Sequence, residues 1–126
     1  MKKRIISLVL AVVLVCPMCF AASAASYTGR TSEDKQATAT LNVGANAASA
    51  STQCVGATSS MLGTYLEFYY YNTFNEETFK IGTGNGSAAV QPSDIRPAGA
   101  TYAFSNHMVD GGSTIGSWRY SMTVHR

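Results

Sequence analysis

The chain has 126 residues, of which only 13% are charged and 46% are hydrophobic, with a formal net charge of +2. That surplus is carried by Lys2, Lys3 and Arg4; without them six basic and seven acidic residues leave a net charge of −1. No basic patch remains to attract nucleic acid or an anionic membrane surface, and the aromatic and β-branched content excludes a disordered chain.

The chain opens on Met1-Lys2-Lys3-Arg4, an apolar run from Ile5 to Phe20 interrupted by Ser7 and Pro17, and the small residues Ala21 to Ser26. A basic segment, an apolar segment and a small-residue site predict a secretory signal peptide over residues 1–24, cleaved after Ala24 or Ala25. The apolar run is shorter than the roughly 20 residues a spanning helix needs, so no stable membrane insertion is expected after cleavage. Cleavage removes Cys16 and Cys19, and neither follows the small residues expected of a lipoprotein site. Cys54 then stands alone, which rules out an intramolecular disulfide and leaves open a Cys54-linked homodimer, a reactive thiol or a small buried side chain. The basic leader without a disulfide framework suits a secreted, extracellular bacterial protein of Gram-positive style.

Residues 25–35 are polar and read as a flexible N-terminal leader to one domain over 36–126. Gln36 to Val43 alternates, with Ala37, Ala39, Leu41 and Val43 on one face, as a half-buried strand does. Gly44-Ala45-Asn46 signals a turn. Ala47 to Val55 reads as a second strand of small side chains, because Ser, Thr and Val interleave without a helical stripe. Met61 to Asn72 is the third and most conspicuous strand. It divides with a period of two: Leu66, Phe68 and Tyr70 toward a core, Tyr65, Glu67, Tyr69 and Tyr71 outward. Glu76 to Ile81 predicts a hairpin partner with Phe79 and Ile81 inward.

Gly82-Thr83-Gly84-Asn85-Gly86 predicts a loop. It lacks the following helix that a phosphate cradle needs. Ser87 to Gln91 is a short strand, and the segment from Pro92 to Gly99 reads as a crossing between sheets. Ala100 to Val109 is expected to place Tyr102, Phe104 and Met108 on one core face, together with Phe79 and Trp118. Asp110-Gly111-Gly112-Ser113 predicts a turn. Ser117 to Arg126 alternates with Trp118, Tyr120, Met122 and Val124 inward. Trp118 is expected to plug the core between the sheets, so that its truncation to Ala unfolds the domain.

About seven strands with regular turn signals predict an all-β fold, a small antiparallel two-sheet β-sandwich, immunoglobulin-like or similar. The chain lacks a G-x-S-x-G nucleophile motif and a spaced carboxylate pair; Glu76, Glu77 and Asp94 are the acids nearest in kind to partners for Glu67. His107 and His125 are too few for a zinc site, and both read as surface side chains. The expectation is a non-catalytic protein with no cofactor and no metal, binding an extracellular glycan or protein through Tyr65, Glu67, Tyr69 and Tyr71.

In export by a signal peptide, absence of disulfides and richness in Gly, Ser and Tyr, the chain resembles small lactococcin-type bacteriocins. The resemblance has no aligned motif and assigns no residue. It implies the alternative of a secreted bacteriocin-like or toxin-like antimicrobial protein.

Overall fold

The computed structural model describes residues 23–126; the expected signal peptide falls outside them except for Ser23 and Ala24. Eight strands run in the order β1 (Ser23–Arg30), β2 (Gln36–Val43), β3 (Ala48–Cys54), β4 (Leu62–Asn72), β5 (Glu77–Gly84), β6 (Ser87–Val90), β7 (Ile95–Asp110) and β8 (Ser117–His125). A single helical turn, α1 (Gly112–Ile115), precedes β8. The strands form two four-stranded sheets, β1-β2-β3-β6 and β5-β4-β7-β8, with every pairing antiparallel. The sheets pack face to face as a sandwich, and their inner residues form one principal core. The first three strands make a meander within one sheet, whereas an immunoglobulin domain sends its third strand to the opposite sheet.

The boundaries of β2 and β3 follow the sequence pattern closely. The segment 25–35 does not behave as a flexible leader. Its first part continues β1, which pairs with β2 from Ser23↔Val43 to Arg30↔Gln36. β1 carries only one large apolar side chain, Tyr27, so its own pattern is faint; the pairing edge of β2 supplies what its side chains lack. Tyr27 stacks on Tyr120 at 4.1 Å and lies 6.5 Å from Trp118. Gly29 makes room for the indole, because a Cβ there would stand 2.8 Å from Trp118 Nε1. The turn after β1 is closed by buried Thr31, whose hydroxyl donates to the Ile115 carbonyl at 2.5 Å and accepts from Lys35 N–H at 3.1 Å.

Leu66, Phe68 and Tyr70 of β4 are fully buried, as the alternation predicts. Tyr70 keeps a partner for its hydroxyl, which donates to Asp94 at 2.7 Å. Burial, with that carboxylate beside it, pushes the phenol up to about 12. Two neighbouring strands are in the opposite phase to expectation. Residues paired across antiparallel strands share a face. Tyr69 faces outward and pairs with both Phe79 and Tyr102, while Phe68 faces inward and pairs with Ala103. The register therefore turns Phe79, Ile81, Tyr102, Phe104 and Met108 out of the core and brings Ala103, Ser105, His107 and Val109 in. Phe79 and Ile81 are 48% and 53% exposed. The small β7 residues fit because Phe68 and Tyr70 already fill the space beside them.

On β8, Val124 is buried and Met122, Tyr120 and Trp118 are half-buried on the inner side. Trp118 is half-buried and outside the principal core. It sits at one end, against a second cluster of Ala37, Val109 and Ile115. Between the two clusters lies a polar layer. His107 is 1% exposed. Its Nδ1 is 2.9 Å from Thr52 Oγ1 and its Nε2 is 2.7 Å from Ser105 Oγ; Thr52 Oγ1 in turn meets Thr64 Oγ1 at 2.8 Å. The expected surface histidine is thus an interior one, held by hydroxyls on three strands. Each can act as donor or acceptor, so the layer satisfies itself without charge.

Candidate functional site

The outer face of β5-β4-β7-β8 carries the sequence-predicted residues Tyr65, Glu67, Tyr69 and Tyr71, all half-exposed. Three of them form one unit. Glu67 accepts a hydrogen bond from Tyr69 Oη at 2.7 Å through Oε1 and from Tyr65 Oη at 3.2 Å through Oε2. The bond to Glu67 is the chief reason that the Tyr69 phenol is pushed up to about 12, with partial burial adding to it. Tyr65 is also raised, by desolvation first and then by Glu67. Both tyrosines therefore stay neutral donors, and Glu67 is occupied rather than offered to a ligand. Tyr71 stands apart at the end of the strand, with the Arg96 guanidinium 4.7 Å from its ring centroid.

The sequence pattern missed the residues that surround this unit. Phe79, Tyr69, Tyr102 and His125 form a continuous ring ladder across all four strands, with centroid separations of 5.1, 4.3 and 5.4 Å. These spacings follow the distance between neighbouring strands. Tyr69 and Tyr102 lie between neighbours on both sides, so their faces are covered and their edges meet solvent. The row beside it contains Ile81, Glu67, Phe104 and Thr123. This part of the face is a stiff aromatic slab, not a platform of open rings.

The next rows along the strands are different. Tyr65 is flanked by Thr83 and Asn106, with Ser121 beyond, so no aromatic ring covers its faces. Gly63 pairs with Met108, which pairs with Arg119. The missing side chain at Gly63 opens a shallow hollow of about 640 Å³. Tyr65, Thr83 and Asn85 bound it on one side, and Asn106, Met108, Arg119 and Ser121 on the other. Ser121 Oγ donates to Asn106 Oδ1, which leaves the Asn106 amide N–H groups free to point elsewhere. The side chains of Thr83, Asn85 and Arg119 make no hydrogen bond or ion pair with any described residue. One open aromatic ring and several exposed polar groups without a protein partner converge here, a composition suited to a small polar ligand.

Other chemistry-bearing residues lie elsewhere. The Ser105–His107 pair has the spacing of a nucleophile and its base, but both side chains are sealed in the interior where no substrate can touch them. Burial lowers the His107 pKa, opposed by a backbone hydrogen bond involving Ser51. Cys54 is half-buried beside the Ala37, Val109 and Ile115 cluster. Burial pushes its thiol up, with Lys35 acting in the other direction. Glu67, Glu76, Glu77 and Asp94 are not brought together: Glu76 sits at the β4–β5 turn by Asn72, and Asp94 serves Tyr70. No group of three or more His, Cys, Asp or Glu placed to hold a metal ion occurs among the described residues. No protein family, curated protein or solved structure matches the chain.

Proposed function

We propose that the chain is a secreted, non-catalytic binding module that recognises glycan outside the cell through the outer face of β5-β4-β7-β8. The observation that carries this reading is the hollow beside Tyr65. An open ring face next to exposed amide, hydroxyl and guanidinium groups that have no protein partner matches the two needs of a sugar, apolar C–H faces and a rim of hydroxyls. The adjoining ladder keeps the surface stiff, so little ordering cost falls on the binding event. Secretion is supported by the basic, apolar and small-residue succession at the N-terminus.

The test is retention on insoluble peptidoglycan and binding to a glycan array. The wild-type protein is expected to be retained by at least one glycan, and Tyr65→Ala to lose that retention while keeping its melting transition. Retention unchanged in Tyr65→Ala, or no glycan bound by the wild type, refutes the reading.

A further inference from the structure

On the glycan reading, the border of the hollow selects which kind of sugar it takes. Its polar groups are not chemically equivalent. Thr83, Asn85, Asn106 and Ser121 are neutral, and Arg119 is the one charged side chain on the hollow's border. Arg119 has no carboxylate partner. The ion pair between Arg30 and Asp34 is the one formed among the described residues, and Asp110, opposite Ser117 in the next row, makes none with Arg119. The nearest acid on β4, Glu67, has both oxygens taken by Tyr65 and Tyr69. A fork of guanidinium donors therefore stands uncompensated beside a set of hydroxyl-binding groups, within a protein whose remaining balance is slightly acidic.

From this arrangement we infer that the hollow binds a carboxylate-bearing sugar unit. The acid pairs with Arg119. The ring lies against Tyr65, and its hydroxyls meet the free amide of Asn106 and the side chains of Thr83 and Asn85. Guanidinium is suited to this role because its planar donors match the two oxygens of a carboxylate. The site lies on the surface, so the charge contributes selectivity among sugars rather than most of the affinity.

The structure supplies its own blocking variant. A Cβ at Gly63 would meet Met108 Cε at 3.0 Å and Met108 Cβ at 3.6 Å. The closer contact is the far end of a flexible side chain, and Gly63 lies in a strand where a β-branched residue is well accommodated. Gly63→Val should crowd the floor of the hollow beside Tyr65 and leave the fold intact. Arg119→Gln removes the charge from an exposed position and keeps a polar side chain.

Three probe pairs distinguish the sources of such a carboxylate: tetragalacturonate against its methyl ester, sialyllactose against lactose, and a soluble N-acetylmuramic-acid disaccharide against chitobiose. Each is titrated by calorimetry into wild-type protein, Arg119→Gln and Gly63→Val, with thermal melts run in parallel. The expected result is that at least one acidic probe binds on the order of tenfold more tightly than its neutral counterpart. Arg119→Gln should erase that preference by weakening the acidic probe more than the neutral one, and Gly63→Val should weaken both with its melt preserved. Equal affinity for acidic and neutral members, or a preference that survives Arg119→Gln, overturns the inference and leaves the glycan reading standing. Failure of every probe, together with failure on insoluble peptidoglycan, overturns both.

Discussion

The buried His107 makes stability depend on pH in a way that an exposed histidine would not. Its imidazole lies in the polar layer between the two apolar clusters, with Thr52 and Ser105 on its two nitrogens and almost no contact with water. Burial lowers its pKa in the folded state below the value of about 6.5 that it has when the chain is unfolded. The unfolded chain therefore takes up the proton first as pH falls. The stabilising effect of the neutral ring is complete above about pH 6.5 and is lost progressively as pH drops toward the folded pKa. Over that interval the loss is at most about 1.4 kcal/mol per pH unit, the limit for one proton. For a domain of this size that limit corresponds to a fall in melting temperature of no more than roughly 6–11 °C per pH unit. Scanning calorimetry from pH 7.5 to 5.5 checks the slope, with His107→Gln as the comparison because glutamine can hydrogen-bond but does not titrate. The variant should melt lower than wild type at pH 7.5 and show a much flatter pH dependence. Parallel slopes in the two proteins would refute the assignment of the effect to His107.

Trp118→Ala should lower stability by about 2–3 kcal/mol and preserve a cooperative melt, because the indole is half-buried and loses its stacking on Tyr27 and Tyr120 rather than a central position; non-cooperative unfolding by circular dichroism would contradict that placement. A chain beginning at Gln36 lacks β1 and should lose its cooperative thermal transition, whereas a dispensable leader would leave the melt unchanged. Glu67→Gln should bring the Tyr69 phenol down from about 12 toward its ordinary value, seen as earlier tyrosinate absorbance in a pH titration; an unaltered curve would mean that the Tyr69–Glu67 hydrogen bond does not set it.

Much of the sheet framework was legible from alternation. β2 and β3 are where the pattern places them, and β4 divides into Leu66, Phe68 and Tyr70 inside and Tyr65, Glu67, Tyr69 and Tyr71 outside. Alternation identifies two faces, however, without saying which one meets the core. On β5 and β7 side-chain size points the larger residues inward, and the pairing with β4 turns them outward. A shift of one residue inverts a whole strand, so one cause accounts for both strands. The same inversion hid His107 in the interior and concealed the aromatic ladder. β1 was illegible for a different reason: its small residues lack a face of their own, and only Tyr27 anchors it.

The hollow beside Tyr65 was legible only in part. Tyr65 was visible as an outward aromatic, but Gly63, Asn106 and Arg119 are on three strands and acquire meaning only from register. A Gly inside an aromatic strand was the one available signal, since it often marks a close approach or a gap on the sheet surface. The structure also redistributes weight among the expected residues. Tyr69 is packed into the ladder and Glu67 is occupied by two hydroxyls, so they shape the surface, while Tyr65 alone presents an uncovered ring.

The most direct test is backbone amide chemical-shift mapping with the soluble glycan probe that binds best. Shifts concentrated at Gly63, Tyr65, Asn106 and Arg119, weakened in Gly63→Val, are the predicted result. Shifts concentrated instead on the opposite sheet, at Thr38, Thr40 and Ser51, would contradict the assignment of this face as the binding surface.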